Sequence, residues 1–188
     1  MNTIVLHGSP RKNGNSDTLV KFLVKGLEEN EENIVVHFYI NDMKIKACQG
    51  CLNCANSTNH SCATKDDMEQ IYFAYKKADI IVFATPMYWG YMTAQLKTVM
   101  DRMEALAWEG FSNKIFVIII TYRHHFESTV SFFKRIAPFF NIDLHIITCC
   151  TYDKELNKDL PIMECQDKLE EAYELGIKLN RLEKYKQF

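Results

Sequence analysis

The chain has 188 residues, 47% of them hydrophobic and 24% charged, which excludes disordered, collagen-like and low-complexity classes and predicts one globular domain over 1–188. Its 22 Lys and Arg against 24 Asp and Glu leave a net charge of −2, too even a balance to hold nucleic acid or an anionic membrane by bulk field. No run approaches the ~20 apolar residues of a membrane span, and the opening Met1-Asn2-Thr3-Ile4-Val5-Leu6-His7 lacks the basic start and cleavage site of a signal peptide, so a cytoplasmic protein is expected.

Short β-branched runs and helical patterns alternate along the chain. Residues 4–7 read as a strand, followed by a connection over 8–16 and a helix whose face is Leu19, Phe22, Leu23, Gly26 and Leu27. Glu28, Glu29, Glu31 and Glu32 read as its solvated end. A second strand over 34–40 leads into a long connection over roughly 41–65, then a helix marked by Met68, Ile71, Tyr72 and Tyr75. The third strand, 80–85, precedes a helix marked by Leu96, Val99, Met100, Met103 and Leu106. The fourth, 115–121, precedes one marked by Val130, Phe133, Ile136, Ala137 and Phe140. The fifth, 144–150, is followed by a second long connection, 151–163, and a helix marked by Leu169, Ala172, Tyr173 and Leu179. The Lys-bearing tail after Leu182 reads as solvated. Strict strand–helix alternation implies an α/β parallel sheet covered on both faces. Ligands then sit beyond the carboxyl ends of the strands, where the winding reverses.

Gly8-Ser9-Pro10-Arg11-Lys12-Asn13-Gly14-Asn15-Ser16 joins the first strand to its helix. Small residues there let backbone amides converge on an anion at a helix N-terminus, with Asn15 or Ser16 as the expected cap. Ser9 and Ser16 add hydroxyls and Arg11 a charged fork. The Walker spacing is absent, since five residues separate Gly8 from Gly14 and Asn15 follows it, and no G-x-G-x-x-G occurs. The bland alternative is a turn that merely caps a helix. Ala84-Thr85-Pro86-Met87-Tyr88-Trp89-Gly90-Tyr91 reads as a loop after the third strand. Large apolar residues where solvent-facing ones are expected suit a planar ring, although the same residues also suit packing under a helix or a dimer contact.

Together with Gln95-Leu96-Lys97-Thr98-Val99-Met100-Asp101-Arg102, these motifs make the chain resemble the flavodoxin-like NAD(P)H-dependent FMN reductases. The cysteine loop that ends in Cys62-Ala63-Thr64-Lys65-Asp66-Asp67-Met68 is similar to that of the iron–sulfur flavoprotein subset. The specific motifs run to about residue 105. The resemblance implies a flavodoxin-like three-layer sandwich with five parallel strands in the order 2-1-3-4-5. It implies that Ser9, Arg11, Asn13, Asn15 and Ser16 hold the phosphate of FMN, that Pro86, Met87, Tyr88 and Trp89 line its ring, and that Thr121 and Tyr122 border the other side. It further implies electron transfer from NAD(P)H, as hydride to flavin N5, to a small-molecule or protein acceptor. No protein acid or base is then required. Where relatives often carry glycine after the fourth strand, Tyr122 and Arg123 stand here, narrowing the substrate side.

Cys48, Cys51, Cys54 and Cys62 form C-x2-C-x2-C-x7-C. That spacing suits ferredoxin-type ligation of a [4Fe–4S] cluster; a four-thiolate zinc site and a loop of metal-free thiols are the alternatives. With a cluster, the protein becomes an electron carrier working with ferredoxin. With zinc, it becomes a sensor module without redox activity. Cys149, Cys150 and Cys165 read as core or surface thiols, and His124 and His125 as surface residues. Met87, Tyr91, Met92 and Trp108 are candidate association residues for a homodimer or higher homo-oligomer. No HExxH helix, G-x-S-x-G elbow or recognisable Cys–His pairing is present, and neither the acceptor nor the choice between NADH and NADPH is legible.

Overall fold

The computed structural model of the chain describes residues 1–29, 32–108, 111 and 113–182. Glu31 and the tail beyond Leu182, both read above as solvated, lie outside the described residues. Five parallel strands, β1 (Asn2–His7), β2 (Ile34–Tyr39), β3 (Ile80–Tyr88), β4 (Ile115–Tyr122) and β5 (Asp143–Cys150), form a sheet in the order β2-β1-β3-β4-β5. This is the expected doubly wound order. The helices are α1 (Asn15–Leu27), α2 (Met68–Lys77), α3 (Ala94–Arg102), α4 (Glu127–Phe139) and α5 (Gln166–Leu182). Among the described residues no helix is long and apolar enough to cross a membrane.

Alternation along the strands divides the core in two, because successive side chains point to opposite faces. Ile4, Leu6, Ile81, Phe83, Phe116 and Ile118 pack with Met68, Ile71 and Tyr75 of α2, Leu96 and Val99 of α3, and Phe133 of α4. Val5, Ile80, Val82, Val117 and Ile119 pack with Leu19 and Leu23 of α1 and Leu169, Ala172 and Leu179 of α5. A one-residue slip in register would exchange these two sets, so double-sided burial pins the pairing.

Three local readings are corrected. The segment after residue 85 is not a loop: β3 continues through Pro86 to Tyr88, turns at Trp89–Gly90, and returns as a short antiparallel strand, Tyr91–Met92. The helical run expected across 96–106 breaks after Arg102 and resumes as a short turn, Glu104–Ala107. The cap of α1 is Gly14 rather than Asn15 or Ser16. The connection over 151–163 folds into a two-stranded ribbon, Tyr152–Asp153 with Lys158–Asp159. Helices α1 and α5 cross in backbone contact, since a Cβ on Gly26 would lie 2.2 Å from the Tyr173 carbonyl and one on Gly176 2.2 Å from the Leu23 carbonyl.

Candidate functional site

Loops at the carboxyl ends of β1, β3 and β4 surround a cleft of about 750 Å³, a size usual for small-molecule sites. Ser9, Arg11, Gly14, Asn15 and Ser16 line one end, and Pro86, Met87, Tyr88 and Trp89 line a wall. Thr121, Tyr122, Arg123, Thr151 and Asp159 line the remainder. Every residue expected at the cofactor is therefore brought to one place except Asn13, which is not among the lining residues. Asn13 instead turns the chain, with φ +58°; its amide donates to Asp17 and its side-chain oxygen accepts from Lys21.

The N-terminus of α1 opens on this cleft. Gly14 supplies no side-chain cap, so the first amides of the helix, which have no intrahelical carbonyl to meet, remain available to an anion. Asp17, in the first turn, does not compete for that role. It is buried behind the loop, where it accepts from the Asn13 amide at 2.9 Å and from His7 Nδ1 at 2.8 Å. His7 Nε2 and His37 Nδ1 share a hydrogen bond at 2.9 Å, and the His7 ring stacks on Tyr39 at 4.3 Å. Burial, reinforced by His7, holds the His37 imidazole below its ordinary value. The loop also closes on itself: the Arg11 amide donates to Ser9 Oγ at 3.1 Å.

Thr93 ties this loop to the next. Its hydroxyl donates to the Gly8 carbonyl at 2.7 Å and caps α3 by accepting from the Leu96 amide, while its own amide donates to Thr85 Oγ1 at 3.1 Å. Gly8 is required by that closeness, since a Cβ there would lie 2.8 Å from Leu96 Cβ. At the tip of the hairpin, Trp89 and Gly90 have φ +51° and +77°, the paired left-handed backbone of a two-residue turn. Trp89 is fully exposed. A bulky residue in the left-handed region is strained by about 1–2 kcal/mol, and an indole in water adds a hydrophobic penalty. Across the cleft, Tyr122 packs on Phe126 at 4.4 Å, and burial raises its phenol above the ordinary value. Arg123 pairs with Asp159 of the ribbon at 2.6 Å. His124 and His125 are exposed, as expected.

Cys48 and Cys51 are exposed and Cys54 and Cys62 half-buried, all as free thiols. The four line one small depression with Arg102 and Glu104, which shares no lining residue with the cleft. Among the described residues, however, no three His, Cys, Asp or Glu side chains are gathered tightly enough to hold a metal. The cysteines are thus collected but not closed into a ligand sphere. The Gly50 amide donates to Cys48 Sγ at 3.5 Å, and burial, then the Glu104 charge, raise the Cys54 thiol. The loop is anchored by the buried Arg102, which donates to Asp66 at 2.9 and 3.2 Å and to the Lys46 and Thr64 carbonyls at 2.8 and 3.0 Å. Trp108 stacks on His60 of the same loop at 4.8 Å. Of the expected association residues, Met92 is buried in the core and is withdrawn from that surface, whereas Met87 and Tyr91 are half-buried and Trp108 is exposed. Cys149 is buried, with Cys150 and Cys165 half-buried.

Sequence reasoning missed His7, Asp17, Thr93 and Arg102. Thr93 had a legible signal, a hydroxyl residue just before a helical run. The other three depend on tertiary pairing.

The profile of the NADPH-dependent FMN reductase family matches residues 1–171. A protein of Archaeoglobus fulgidus named iron-sulfur flavoprotein is 35% identical over 103 residues, 55% of this chain and 46% of that protein. The chain spans about half the length of the curated relatives it matches. Among solved structures, an azoreductase of Bacillus anthracis superposes with a TM-score of 0.76 at 13% identity, covering 95% of this chain and 99% of that one. An FMN-dependent NADH-azoreductase of the same species, in complex with FMN, gives a TM-score of 0.68 at 13% identity, covering 96% and 100%. At that identity the two structures speak for the fold alone.

Proposed function

The chain belongs to the NADPH-dependent FMN reductase family, and from that membership and the shape of the cleft we propose that the protein binds FMN non-covalently and passes electrons from NAD(P)H to a small-molecule or protein acceptor. The observation that carries this reading is the meeting, in one cleft, of an uncapped helix N-terminus and an exposed Trp held in a left-handed backbone. One suits a phosphate and the other a planar ring, and nothing in the fold's own packing requires either. Ser9, Arg11, Asn15 and Ser16 take the phosphate; Pro86, Met87, Tyr88 and Trp89 flank the ring; Thr121 and Tyr122 close its other side. When bound, FMN supplies the two-electron chemistry. The residues of the chain bind and orient it, and Met87, Tyr88 and Tyr122 keep water from it.

Titration of the protein with FMN tests this reading. Saturable quenching of flavin and tryptophan fluorescence is expected, with NADPH oxidation by the loaded protein followed as loss of absorbance. Unchanged fluorescence at saturating FMN would remove the assignment.

The gathering of four cysteines around one depression favours a second reading for that loop. There Cys48, Cys51, Cys54 and Cys62 would hold a [4Fe–4S] cluster, which when bound would supply single-electron exchange with a ferredoxin-type partner. The Gly50 amide beside Cys48 Sγ supports it, as amide donors temper thiolate charge in such sites. Iron and acid-labile sulfide in anaerobically purified protein are the expected result. Bound zinc, or no metal at all, rejects it.

A further inference from the structure

Five residues that line the cleft take no part in the flavin assignment: Arg123, Thr151, Asp159, Leu160 and Pro161. They come from just beyond β4, just beyond β5, and the returning strand of the ribbon with the two residues after it. The base of the ribbon is stitched to β4, since the Thr151 amide donates to the Tyr122 carbonyl at 2.8 Å and the Leu160 amide to the Thr151 carbonyl at 3.0 Å. Backbone on both sides of this end of the cleft is thereby fixed. The Arg123 guanidinium stands over it, 5.8 Å from the centre of the Tyr152 ring.

Two arginines of this chain are paired in opposite ways. Arg102 and its partner Asp66 have side chains 1% and 6% exposed, and Asp66 with two carbonyls fills the Arg102 fork. Arg123 has Asp159 as its one hydrogen-bond partner among the described residues, and those two side chains are 61% and 60% exposed. So open a pair holds little energy, and one acceptor leaves most of the five guanidinium donors unused. An anion entering the cleft can therefore take the place of Asp159, and a phosphate or carboxylate meets the fork with two bonds at once. Asp159 lies on the side of β5, the sheet edge opposite β2, so the pair draws Arg123 away from β1 and the N-terminus of α1. FMN carries one terminal anionic group, which Ser9, Arg11 and Ser16 suit at that N-terminus. Arg123 is left for a second anion.

We propose that Arg123 is an anion-binding subsite for the molecule that exchanges electrons with the flavin, and that Asp159 occupies the guanidinium until an oxyanion of that molecule displaces it. The chemistry it recognises is a group that accepts two parallel N–H bonds, which a nucleotide donor carries as phosphate and a small acceptor as carboxylate. The role of the subsite rests on the flavin reading of the cleft.

Calorimetric titration of the FMN-loaded, oxidised protein tests it without turnover. The probes are NADP⁺, which cannot reduce the flavin, and nitrobenzoate beside its uncharged analogue nitrobenzene. Arg123→Gln should weaken the anion that seats there tenfold or more, the scale of charge-assisted hydrogen bonds, and leave nitrobenzene and FMN affinity unchanged. Asp159→Asn, which removes the competing carboxylate, should tighten the same anion several-fold. Both variants should melt with the wild type in the absence of ligand, because the exposed pair holds little stability. Loss confined to NADP⁺ assigns the subsite to the phosphate of a nucleotide donor; loss confined to nitrobenzoate assigns it to the carboxylate of an acceptor. Wild type that binds neither anion overturns the proposal. So does Arg123→Gln that binds both as wild type does or weakens FMN instead, or Asp159→Asn that weakens them. Failure of wild type to bind FMN would instead remove the flavin reading. The subsite is then read in flavin-free protein with inorganic pyrophosphate, and binding indifferent to Arg123→Gln overturns it separately.

Discussion

Trp89 bears two penalties at once, a left-handed backbone and an indole in water, and folding alone gives it no compensating contact. Ser16 is the converse, a buried hydroxyl at the rim of the cleft. A hydrogen bond to a charged group contributes about 1.5–3 kcal/mol. Ser16→Ala should therefore raise the FMN dissociation constant tenfold or more while leaving thermal stability without FMN nearly unchanged; equal affinity in a fluorescence titration would separate Ser16 from the phosphate. Asp66 belongs to stability. Burial opposes its ionisation, but hydrogen bonds from Arg102 and from the Lys46 and Met68 amides prevail and hold its carboxyl below the ordinary 3.8. A carboxylate depressed in this way stabilises the fold fully above the unfolded value, and the contribution fades as pH falls through the folded one. Asp66→Asn should cost about 3 kcal/mol at neutral pH by leaving Arg102 buried without its partner. Below about pH 4 the wild-type melting temperature should fall more steeply than the variant's; parallel slopes between pH 7 and pH 3 would show that Asp66 is not the group responsible.

Element lengths here are set by what each end must do. β3 outruns its apolar core because the hairpin at its end places Met87 and Tyr88 along the wall of the cleft. A reader of sequence stops at Thr85, since the following Pro reads as a strand breaker; the structure keeps Pro86 in register opposite Thr121. α1 and α5 are held at backbone distance by Gly26 and Gly176. The helical spacing puts Gly26 on the packed face of α1. Gly176→Ala should cost about 3 kcal/mol through overpacking, lowering the melting temperature by roughly 6–12 °C for a chain of this size. An unchanged melting temperature would mean that the two helices separate freely.

At the scale of the molecule, a ligand that binds only the folded chain stabilises it by mass action. FMN at 100 times its dissociation constant adds about 2.7 kcal/mol, so calorimetry should show a rise of roughly 5–10 °C; no shift at saturating FMN would contradict the cleft assignment. The strand order came with the family resemblance, whereas the layered sheet and the two segments that meet at the cleft were legible in the residues themselves. Those rest on hydrophobic period and on small-residue turns, and both signals are local. What only the tertiary structure decided are the pairings at a distance: His7 with Asp17 and His37, Arg102 with Asp66 some 36 positions away, and Arg123 with Asp159. Such pairings depend on which elements the packing brings together, and an ion pair between distant segments carries no mark in the residues beside it.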